Sequence, residues 1–167
     1  LTEFSFIRRH LALPQPSDPD LLLGIGDDAA IIRPRAGFDL CFSSDMLLAN
    51  RHFFPTDPPD AIAHKILATN ISDIAAMGGQ PRWVLLSAAL PELNEAWLQA
   101  FSGSLFAILR QYGITLIGGD TTQGNLAFNV AITGELPAGK ALRRSGAQHS
   151  DDIWVSGQIG SAAAALH

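Results

Sequence analysis

The sequence predicts an α+β fold in which a mixed β-sheet has helices packed on one face. Apolar residues recur along the whole chain: 47% of the 167 residues are hydrophobic and 16% are charged. That composition indicates an ordinary folded domain rather than a disordered segment. Strand and helix patterns follow one another in the order strand, strand, helix, strand, helix, strand, strand, and this order favours a sheet covered by helices.

The first part of the chain predicts a short helix and two strands. The helix covers Phe4–Leu13 and ends at Pro14, because proline cannot continue a helix. The apolar stretch Leu21–Ile25 then leads into a turn-like Gly26-Asp27-Asp28. Two strands are expected after it, at Ala29–Ile32 and Phe38–Leu48.

Two long helices are expected in the middle of the chain. The first covers Pro58–Met77, with Asp57 as N-cap and Gly78-Gly79 as the stop signal. The second runs from a cap at Asn94 to Tyr112, where Gly113 ends it. Three further strands are predicted around these helices, at Arg82–Leu90, Ile114–Ile117 (closed by a turn at Gly118-Gly119-Asp120) and Leu126–Leu136.

The last residues predict the start of a second domain. Asp152–Ser156 has the pattern of a new strand, Gly157–Gly160 that of a loop, and Ser161–Leu166 that of a helix just beginning. A helix of about six residues cannot bury its apolar face alone. We therefore expect an N-terminal domain over residues 1–149 and, over residues 150–167, the first strand and helix start of a truncated C-terminal domain.

Charge and composition exclude several classes of partner. The formal net charge is −5 and no Lys/Arg cluster could follow a nucleic-acid backbone, so no nucleic-acid partner is expected. Apolar runs such as Val84–Leu90 are too short to cross a bilayer, so we expect no membrane association. No signal peptide is expected, and a cytoplasmic location fits the single cysteine, Cys41, which we interpret as a buried structural thiol. A protein this acidic would bind a polyphosphate poorly unless metal cations accompanied it.

Four short segments place a carboxylate beside glycine, serine or threonine near the end of an apolar element. They are Gly24–Ala29, Ser43–Asp45, Asn70–Asp73 and Gly118–Thr122, and an arginine pair follows in Arg143–Gly146. Magnesium takes oxygen ligands and commonly joins one or two carboxylates to substrate phosphates. Glycine beside a carboxylate lets the backbone approach phosphate oxygens closely. The four segments together therefore predict a site for magnesium and nucleotide phosphate, with Asp28, Asp45, Asp73 and Asp120 close together in space.

Each segment also has a purely structural explanation. The Asp and Gly residues at 26–28 and 118–120 are common in turns, Ser43–Asp45 could be a kink in an edge strand, and Asp73 could lie on a solvated helix face. His52 could be a packed or surface histidine, and Arg143 and Arg144 a solvated pair. The sequence has no Gly-x-x-x-x-Gly-Lys-Ser/Thr loop, no Gly-x-Gly-x-x-Gly ahead of a helix and no zinc-binding Cys/His spacing.

The pattern resembles the N-terminal part of the bacterial thiamine-monophosphate kinases. The resemblance covers essentially the whole chain. It is carried by Gly24-Ile25-Gly26-Asp27-Asp28, Ser44-Asp45-Met46-Leu47, His52-Phe53, the helix segment from Asn70 to Gly78, Gly118-Gly119-Asp120-Thr121-Thr122 and Arg144-Ser145-Gly146. The helix segment ending in Ala75-Ala76-Met77-Gly78, combined with the Gly-Gly-Asp-Thr-Thr segment, is the most specific part.

The resemblance implies a fold, a reaction and a set of site residues. The fold would be that of the aminoimidazole ribonucleotide synthetase superfamily, whose N-terminal domain pairs with its twin in a homodimer. The reaction would be transfer of the γ-phosphate of ATP to thiamine monophosphate, giving thiamine diphosphate, without a nucleophile from the protein. Several Mg²⁺ ions would be held by Asp28, Ser43, Ser44, Asp45, Asp73 and Asp120. ATP would contact Gly119, Asp120 and Arg144, and thiamine monophosphate would contact His52; the role of Asp27 is left open.

Two other interpretations remain open at this stage. The chain could come from another member of the superfamily, an aminoimidazole ribonucleotide synthetase or a selenophosphate synthetase. It could also be a dimerisation or nucleotide-binding module without catalytic activity of its own.

Overall fold

The centre of the fold is a four-stranded mixed sheet, which confirms the predicted fold class. A computed structural model describes residues 3–155 and 157–165. The six strands of the described residues are β1 (Leu21–Leu23), β2 (Ile31–Ile32), β3 (Phe38–Leu48), β4 (Gln80–Leu90), β5 (Thr115–Gln123) and β6 (Ala127–Pro137), and β1 and β2 form a separate antiparallel pair. The order in the four-stranded sheet is β3-β6-β4-β5, in which β6 is antiparallel to both neighbours and β4 is parallel to β5.

Two long helices lie on one face of this sheet. They are α2 (Pro59–Ala76) and α3 (Glu95–Tyr112), and they also pack against each other. A short α1 (Glu3–Phe6) continues as a π-helical turn over Ile7–Leu11, so the predicted N-terminal helix is present but irregular. Within the described residues, no helix is both long and apolar enough to cross a membrane.

The strands bury one face and leave part of the other exposed. Phe128, Val130 and Ile132 of β6 are each 1% exposed and point towards the helices. The residues between them point to the opposite face, since side chains alternate along a strand. On that second face Phe42 is 71% exposed and Met46 is 61% exposed. We call this surface the open face of the sheet.

The predicted caps are confirmed for α3, whereas at α2 the predicted stop at Gly78-Gly79 is confirmed and the predicted N-cap is wrong. The Asn94 side chain accepts a hydrogen bond from the Trp97 amide at 3.1 Å, and Gly113 ends α3 in a left-handed conformation. At α2 the N-cap is Pro58, which has no side-chain hydrogen bond. Asp57 is not the cap because its carboxylate accepts a hydrogen bond from the Phe54 amide instead, at 2.9 Å.

The prediction that Gly118-Gly119-Asp120 closes a strand as a turn is also wrong. All three residues lie inside β5, which continues to Gln123 beside β4. Gly119 has a positive φ of 150°, and a Cβ atom there would lie 1.8 Å from the Leu86 carbonyl oxygen. Glycine is required at this position because β4 and β5 approach each other too closely for any side chain.

The last described residues do not form the predicted strand. Residues 152–155 have no regular secondary structure, and Ile153 and Trp154 are 94% and 88% exposed. Ser156 lies outside the described residues, as does Leu166 of the predicted helix. Within the described part, α4 covers only Ser161–Ala164. A strand forms by pairing, and no strand of the described residues pairs with this segment.

A buried charge network fastens the N-terminal segment to the sheet. Glu135, 2% exposed, accepts hydrogen bonds from Arg82 and Arg35, and Arg82 also donates to Asp18 at 3.1 Å and Asp20 at 2.9 Å. Burial alone would lower the pKa of Arg82, but its hydrogen bond with Asp20 and the charges of Glu135 and Asp18 raise that pKa above its ordinary value. Because Asp18 and Asp20 precede Asp27 and Asp28 in the chain and Arg35 follows them, the network fixes both ends of the segment that carries these two acids.

Candidate metal and nucleotide site

The first group of site residues lies between β3 and α2. Ser43 and Asp45 of β3 point towards the helices, on the same face as Val130 and Ile132 of the neighbouring strand. Ser43 Oγ donates a hydrogen bond to Asp73 Oδ2 at 2.7 Å. The sequence predicted both residues, and the structure brings them into direct contact.

Asn70 fixes the backbone at Asp45. Its side chain is fully buried; Oδ1 accepts a hydrogen bond from the Asp45 amide at 3.2 Å and Nδ2 donates to the Ile66 carbonyl at 3.0 Å. A buried amide that joins a helix to a strand holds both in one register. Asn70 therefore sets the position of Asp45 relative to Asp73, which lies three residues further along α2.

Ser44 lies on the open face, next to a residue that sequence reasoning missed. Asn129 of β6 donates a hydrogen bond from Nδ2 to Ser44 Oγ at 3.0 Å. The same amide group lies 3.4 Å from the Asp45 carbonyl oxygen. The only sequence signal for Asn129 is its place as a polar residue inside the otherwise apolar Leu126–Ile132 segment.

The second group of site residues lies at the other edge of the sheet. Asp27, Asp28, Gly119 and Asp120 line a cavity of about 800 Å³, whose apolar wall includes Ile7, Leu11 and Ile25. The Asp28 amide donates a hydrogen bond to Asp27 Oδ1 at 2.8 Å, which orders the loop that carries both acids. One side of this cavity is formed by carboxylates and exposed backbone, and the other side is apolar. Such a cavity can accommodate the phosphates and the base of a nucleotide.

The two groups do not meet within one chain. β3 and β5 are the opposite edges of the four-stranded sheet. Among the described residues, no group of three or more His, Cys, Asp or Glu side chains is placed to hold a metal ion. The expectation that Asp28, Asp45, Asp73 and Asp120 converge is therefore not met in the single chain: Asp45 and Asp73 lie on one side, and Asp28 and Asp120 on the other.

The chemistry of these acids nevertheless fits a hard cation. Within residues 3–155 and 157–165, every ion pair uses other acids, namely Asp18, Asp20, Glu95 and Glu135. Asp28, Asp73 and Asp120 are exposed and Asp45 is half-buried, so their oxygens are accessible. Carboxylate and hydroxyl oxygens without a basic partner are the ligands that Mg²⁺ uses in proteins.

His52 lies in the loop that follows β3. Its Nδ1 accepts a hydrogen bond from the Leu48 amide at 3.0 Å, and its own amide donates to the Leu48 carbonyl at 2.9 Å. The ammonium group of Lys65 in α2 donates to the His52 carbonyl. Sequence reasoning predicted His52 but missed Lys65, because a lysine on an exposed helix face is usually only solvated.

Arg144 lies near the end of α2. It begins a short 3₁₀ turn, Arg144–Gly146. The Leu142 amide donates to the Met77 carbonyl at 3.0 Å, which fastens the segment before Arg144 to the helix end. Asp73 lies one helical turn before that end. Arg144 therefore lies on the side of the sheet that carries the first group of acids, not beside the cavity at β5.

Comparison with known proteins gives one family and a consistent set of relatives. The family described as "AIR synthase related protein, N-terminal domain" matches residues 26–136. The chain is 48% identical over 164 residues to the thiamine-monophosphate kinase of Salmonella typhimurium, covering 98% of this chain and 50% of that protein. The chain thus spans about half the length of the curated relatives that it matches.

Solved structures agree with these relatives. The crystal structure of thiamine-monophosphate kinase from Stenotrophomonas maltophilia K279a has 49% sequence identity and a TM-score of 0.82, covering 89% of this chain and 47% of that one. A structure described as "AaThiL complexed with AMPPCP and TMP" has 27% identity and a TM-score of 0.64, covering 69% of this chain and 37% of that one. The resemblance read from the sequence motifs is confirmed.

Proposed function

The chain belongs to the family of AIR synthase related proteins, and we propose that the protein containing it is a thiamine-monophosphate kinase. The activity is transfer of the γ-phosphate of ATP to thiamine monophosphate, which produces thiamine diphosphate. The observation that carries the proposal is the set of four carboxylates, Asp28, Asp45, Asp73 and Asp120, that have no basic partner in the described part of the chain. The identity to thiamine-monophosphate kinases along 98% of the chain supports it.

Several Mg²⁺ ions belong to the proposal. Asp28, Ser43, Ser44, Asp45, Asp73 and Asp120 are the residues that would hold them, and all six offer oxygen ligands. Bound Mg²⁺ neutralises phosphate charge and aligns the donor and acceptor groups. The contact between Ser43 and Asp73 and the Asn70 bond to the Asp45 backbone support a preorganised ligand set on that side of the sheet.

Gly119, Asp120 and Arg144 are proposed to bind ATP. Gly119 supports this role because it lines the same cavity as Asp120. Arg144 is exposed and forms no ion pair among the described residues, so its guanidinium group is available for phosphate. The relative solved with AMPPCP, an ATP analogue, and TMP supports nucleotide binding by this fold.

The acceptor is thiamine monophosphate, and His52 is proposed to contact it. A phosphate oxygen of the acceptor attacks the γ-phosphorus in line, and ADP leaves. The acceptor phosphate is already ionised near neutral pH, so the reaction requires neither a protein nucleophile nor a strong general base. The role of the protein is to position both substrates and balance their charge.

A homodimer through the open face would unite the two groups of acids. The exposed side chains of Phe42, Met46 and Leu85 on that face favour a second copy as its cover. A two-fold axis parallel to the strands would place the β3 edge of one subunit over the β5 edge of its partner. Ser43, Asp45 and Asp73 of one subunit would then share a site with Asp28 and Asp120 of the partner subunit.

Three further features are part of the same proposal. The division into an N-terminal domain, residues 1–149, and the start of a C-terminal domain, residues 150–167, agrees with the family match over residues 26–136. A cytoplasmic location agrees with the reaction proposed for the protein, which uses ATP. No nucleic-acid or membrane partner is proposed.

The test is an assay of the complete gene product. Purified protein with ATP, Mg²⁺ and thiamine monophosphate should form thiamine diphosphate, detected by chromatography, and chelation of the metal by EDTA should stop the reaction. Cyclisation of formylglycinamidine ribonucleotide by the same preparation, without formation of thiamine diphosphate, would instead assign it to the aminoimidazole ribonucleotide synthetases.

A further inference from the structure

The loop that carries Asp27 and Asp28 has little regular structure of its own. It joins β1, which has three residues, to β2, which has two, and these strands pair at only two positions. An isolated two-stranded pair is marginally stable at best. The place of Asp28 beside Asp120 in the cavity therefore depends on how the two ends of this segment are attached.

Arg82 attaches the first end of the segment to the sheet. From its place in β4, its Nη2 donates hydrogen bonds to Asp18 at 3.1 Å and to Asp20 at 2.9 Å. Its Nη1 donates to Glu135 Oε2 in β6. One guanidinium group thus joins two strands of the sheet to the residues that lead into β1.

The second end is attached through the same carboxylate. Arg35, three residues after β2, donates from Nε to Glu135 Oε2 at 2.8 Å, and its Nη2 lies 2.6 Å from the same oxygen. The Arg33 amide donates to the Asp20 carbonyl at 2.7 Å, so the two ends are also bonded to each other. Arg82 lies at the centre of this arrangement, because it contacts the acids of the first end and the carboxylate that binds the second.

Burial makes the network sensitive to the loss of one cation. The Glu135 side chain is fully buried, and its Oε1 has no hydrogen-bond partner among the described residues, so its attachment depends on Oε2. Three carboxylates, from Asp18, Asp20 and Glu135, face two guanidinium groups. Without Arg82 they would face only Arg35, and a buried carboxylate that loses its partner is costly. The segment would then move away from the sheet and give these acids access to water.

We propose that Arg82 is a positioning residue for Asp28. Arg82 lies outside the cavity and acts through β1, whose three residues cover about 10 Å between the network and the loop. With both ends fixed, the Asp28 carboxylate stays beside Asp120, where Mg²⁺ on a nucleotide phosphate would use both. This inference rests on the proposed function and adds to it a residue that controls one half of the magnesium site.

The decisive variant is Arg82→Met in the complete gene product. Methionine is an unbranched side chain that removes the charge and the hydrogen bonds. We expect magnesium-dependent binding of a non-hydrolysable ATP analogue to weaken about tenfold in titration calorimetry. The KM for ATP should rise by the same factor, with the KM for thiamine monophosphate unchanged. A wild-type affinity in folded Arg82→Met protein, or an equal rise in both KM values, would overturn the proposal.

A double-mutant cycle separates positioning from general destabilisation. If Arg82 acts through Asp28, Arg82→Met should have no further effect on analogue binding in protein that already carries Asp28→Asn. A merely structural defect would instead weaken binding by the same factor in both backgrounds, and that result would contradict a positioning role.

Asp20→Ala is the second variant, and it decides the question if Arg82→Met does not fold. It removes one partner of Arg82 and leaves Asp18 and Glu135 in place, so analogue binding should weaken less, by about threefold. Asp39→Ala is the matched control, because the Asp39 carboxylate accepts a hydrogen bond from the Gly139 amide at 2.8 Å, outside the network. It should bind the analogue as the wild type does. Equal binding by wild type and Asp20→Ala would count against the proposal.

Hydrogen exchange tests the attachment of the loop without substrate or activity. In Arg82→Met and in Asp20→Ala, the amides of β1 and β2 should exchange several-fold faster than in the wild type, while those of α3 keep their rates. Unchanged exchange of β1 and β2 in both variants would overturn the proposal even if the kinase activity is confirmed. If the wild type forms no thiamine diphosphate but β1 and β2 exchange faster in the variants, the proposed function fails while the attachment by Arg82 stands.

Discussion

At the scale of single residues, the acids divide into two sets according to whether a basic side chain is near. Arg82 and Arg35 are held by acids that fasten the N-terminal segment to the sheet. Asp45 and Asp73 have no such partner in the described residues, and the Asp73 carboxylate accepts a hydroxyl hydrogen bond from Ser43. Negative side chains close together without a counter-ion favour the binding of a cation.

Asp73→Asn tests this charge argument directly. The substitution preserves the shape of the side chain and removes one negative charge from the proposed magnesium site. We expect magnesium-dependent nucleotide binding to weaken roughly ten- to a hundredfold, measured by titration calorimetry on the complete gene product with and without Mg²⁺.

The control for this prediction lies on the same helix. Asp60→Asn removes a charge from the first turn of α2, away from Ser43 and Asp45, and should leave nucleotide binding unchanged. Equal binding by wild type and Asp73→Asn would remove Asp73 from the metal site.

Cys41 should behave as an unreactive thiol. Burial raises the pKa of Cys41, and backbone hydrogen bonds at Gly134 and Cys41 only partly oppose that rise. Because a raised pKa leaves less thiolate at a given pH, Cys41 should react with a disulfide reagent at pH 8 roughly tenfold more slowly, or slower still, than in the same chain unfolded in urea. The reaction should accelerate as the pH rises. An equal rate in the folded and unfolded protein would contradict this account.

At the scale of elements, the strand that carries Asp120 depends on one glycine. A Cβ atom at Gly119 would overlap the Leu86 carbonyl, which belongs to the backbone of β4 and cannot rotate away. Gly119→Ala should therefore lower the free energy of unfolding by about 2–4 kcal/mol, measured by urea denaturation.

Gly118→Ala is the matched control for that substitution. Its Cβ atom would lie 3.1 Å from the end of the Leu85 side chain, which can move. We expect a clearly smaller loss of stability. If the two substitutions cost the same, the close approach of β4 and β5 at Gly119 is not what fixes this part of the sheet.

The same glycine shows what the sequence can and cannot predict about elements. The pattern Gly118-Gly119-Asp120 has the composition of a turn, yet it lies within a strand, because the constraint on Gly119 comes from Leu86, more than thirty residues earlier. The Asp57 cap failed for a different reason: the Phe54 amide, three residues earlier, competes as a local donor and takes its carboxylate. The Asn94 side chain instead accepts from the Trp97 amide, as the cap pattern predicts.

Candidate site residues can be selected from local patterns, but their arrangement cannot. Ser43, Asp45, Asp73 and Asp120 were selected from the residues beside them, and their roles stay a prediction. Which acids share a side of the sheet depends on strand order and on the direction of each side chain, and no local pattern contains that information. Lys65 and Asn129 were missed because their roles come only from contacts with His52 and Ser44.

At the scale of the whole molecule, the open face should govern assembly. Met46 is 61% exposed near the end of β3 and faces away from the helices. Met46→Asp would place a charge in the proposed interface, where burial without a partner is costly. We expect the complete gene product to change from dimer to monomer at micromolar concentration, measured by light scattering.

A substitution on the other side of the molecule controls for general effects on solubility. Tyr112→Asp changes a residue that is 46% exposed at the end of α3 and should leave the dimer intact. A wild-type protein that is monomeric at this concentration, or a dimer that survives Met46→Asp, would contradict assembly through the open face.

The separation of the acids at opposite edges of one sheet leads to a test of how the site is completed. If Asp73 of one subunit works with Asp120 of the partner subunit, a dimer of one Asp73→Asn subunit and one Asp120→Asn subunit contains two unequal sites. One site carries both substitutions and the other carries neither, as two-fold symmetry requires. The heterodimer, purified through two different affinity tags, should therefore recover about half of the wild-type activity, whereas each variant homodimer should have almost none. A site formed within one chain predicts the opposite result, because every site of the heterodimer would then carry one substitution and activity would stay at the level of the homodimers. Wild-type subunits bearing the same two tags give the reference activity, and the Tm of each variant shows that loss of activity does not reflect unfolding.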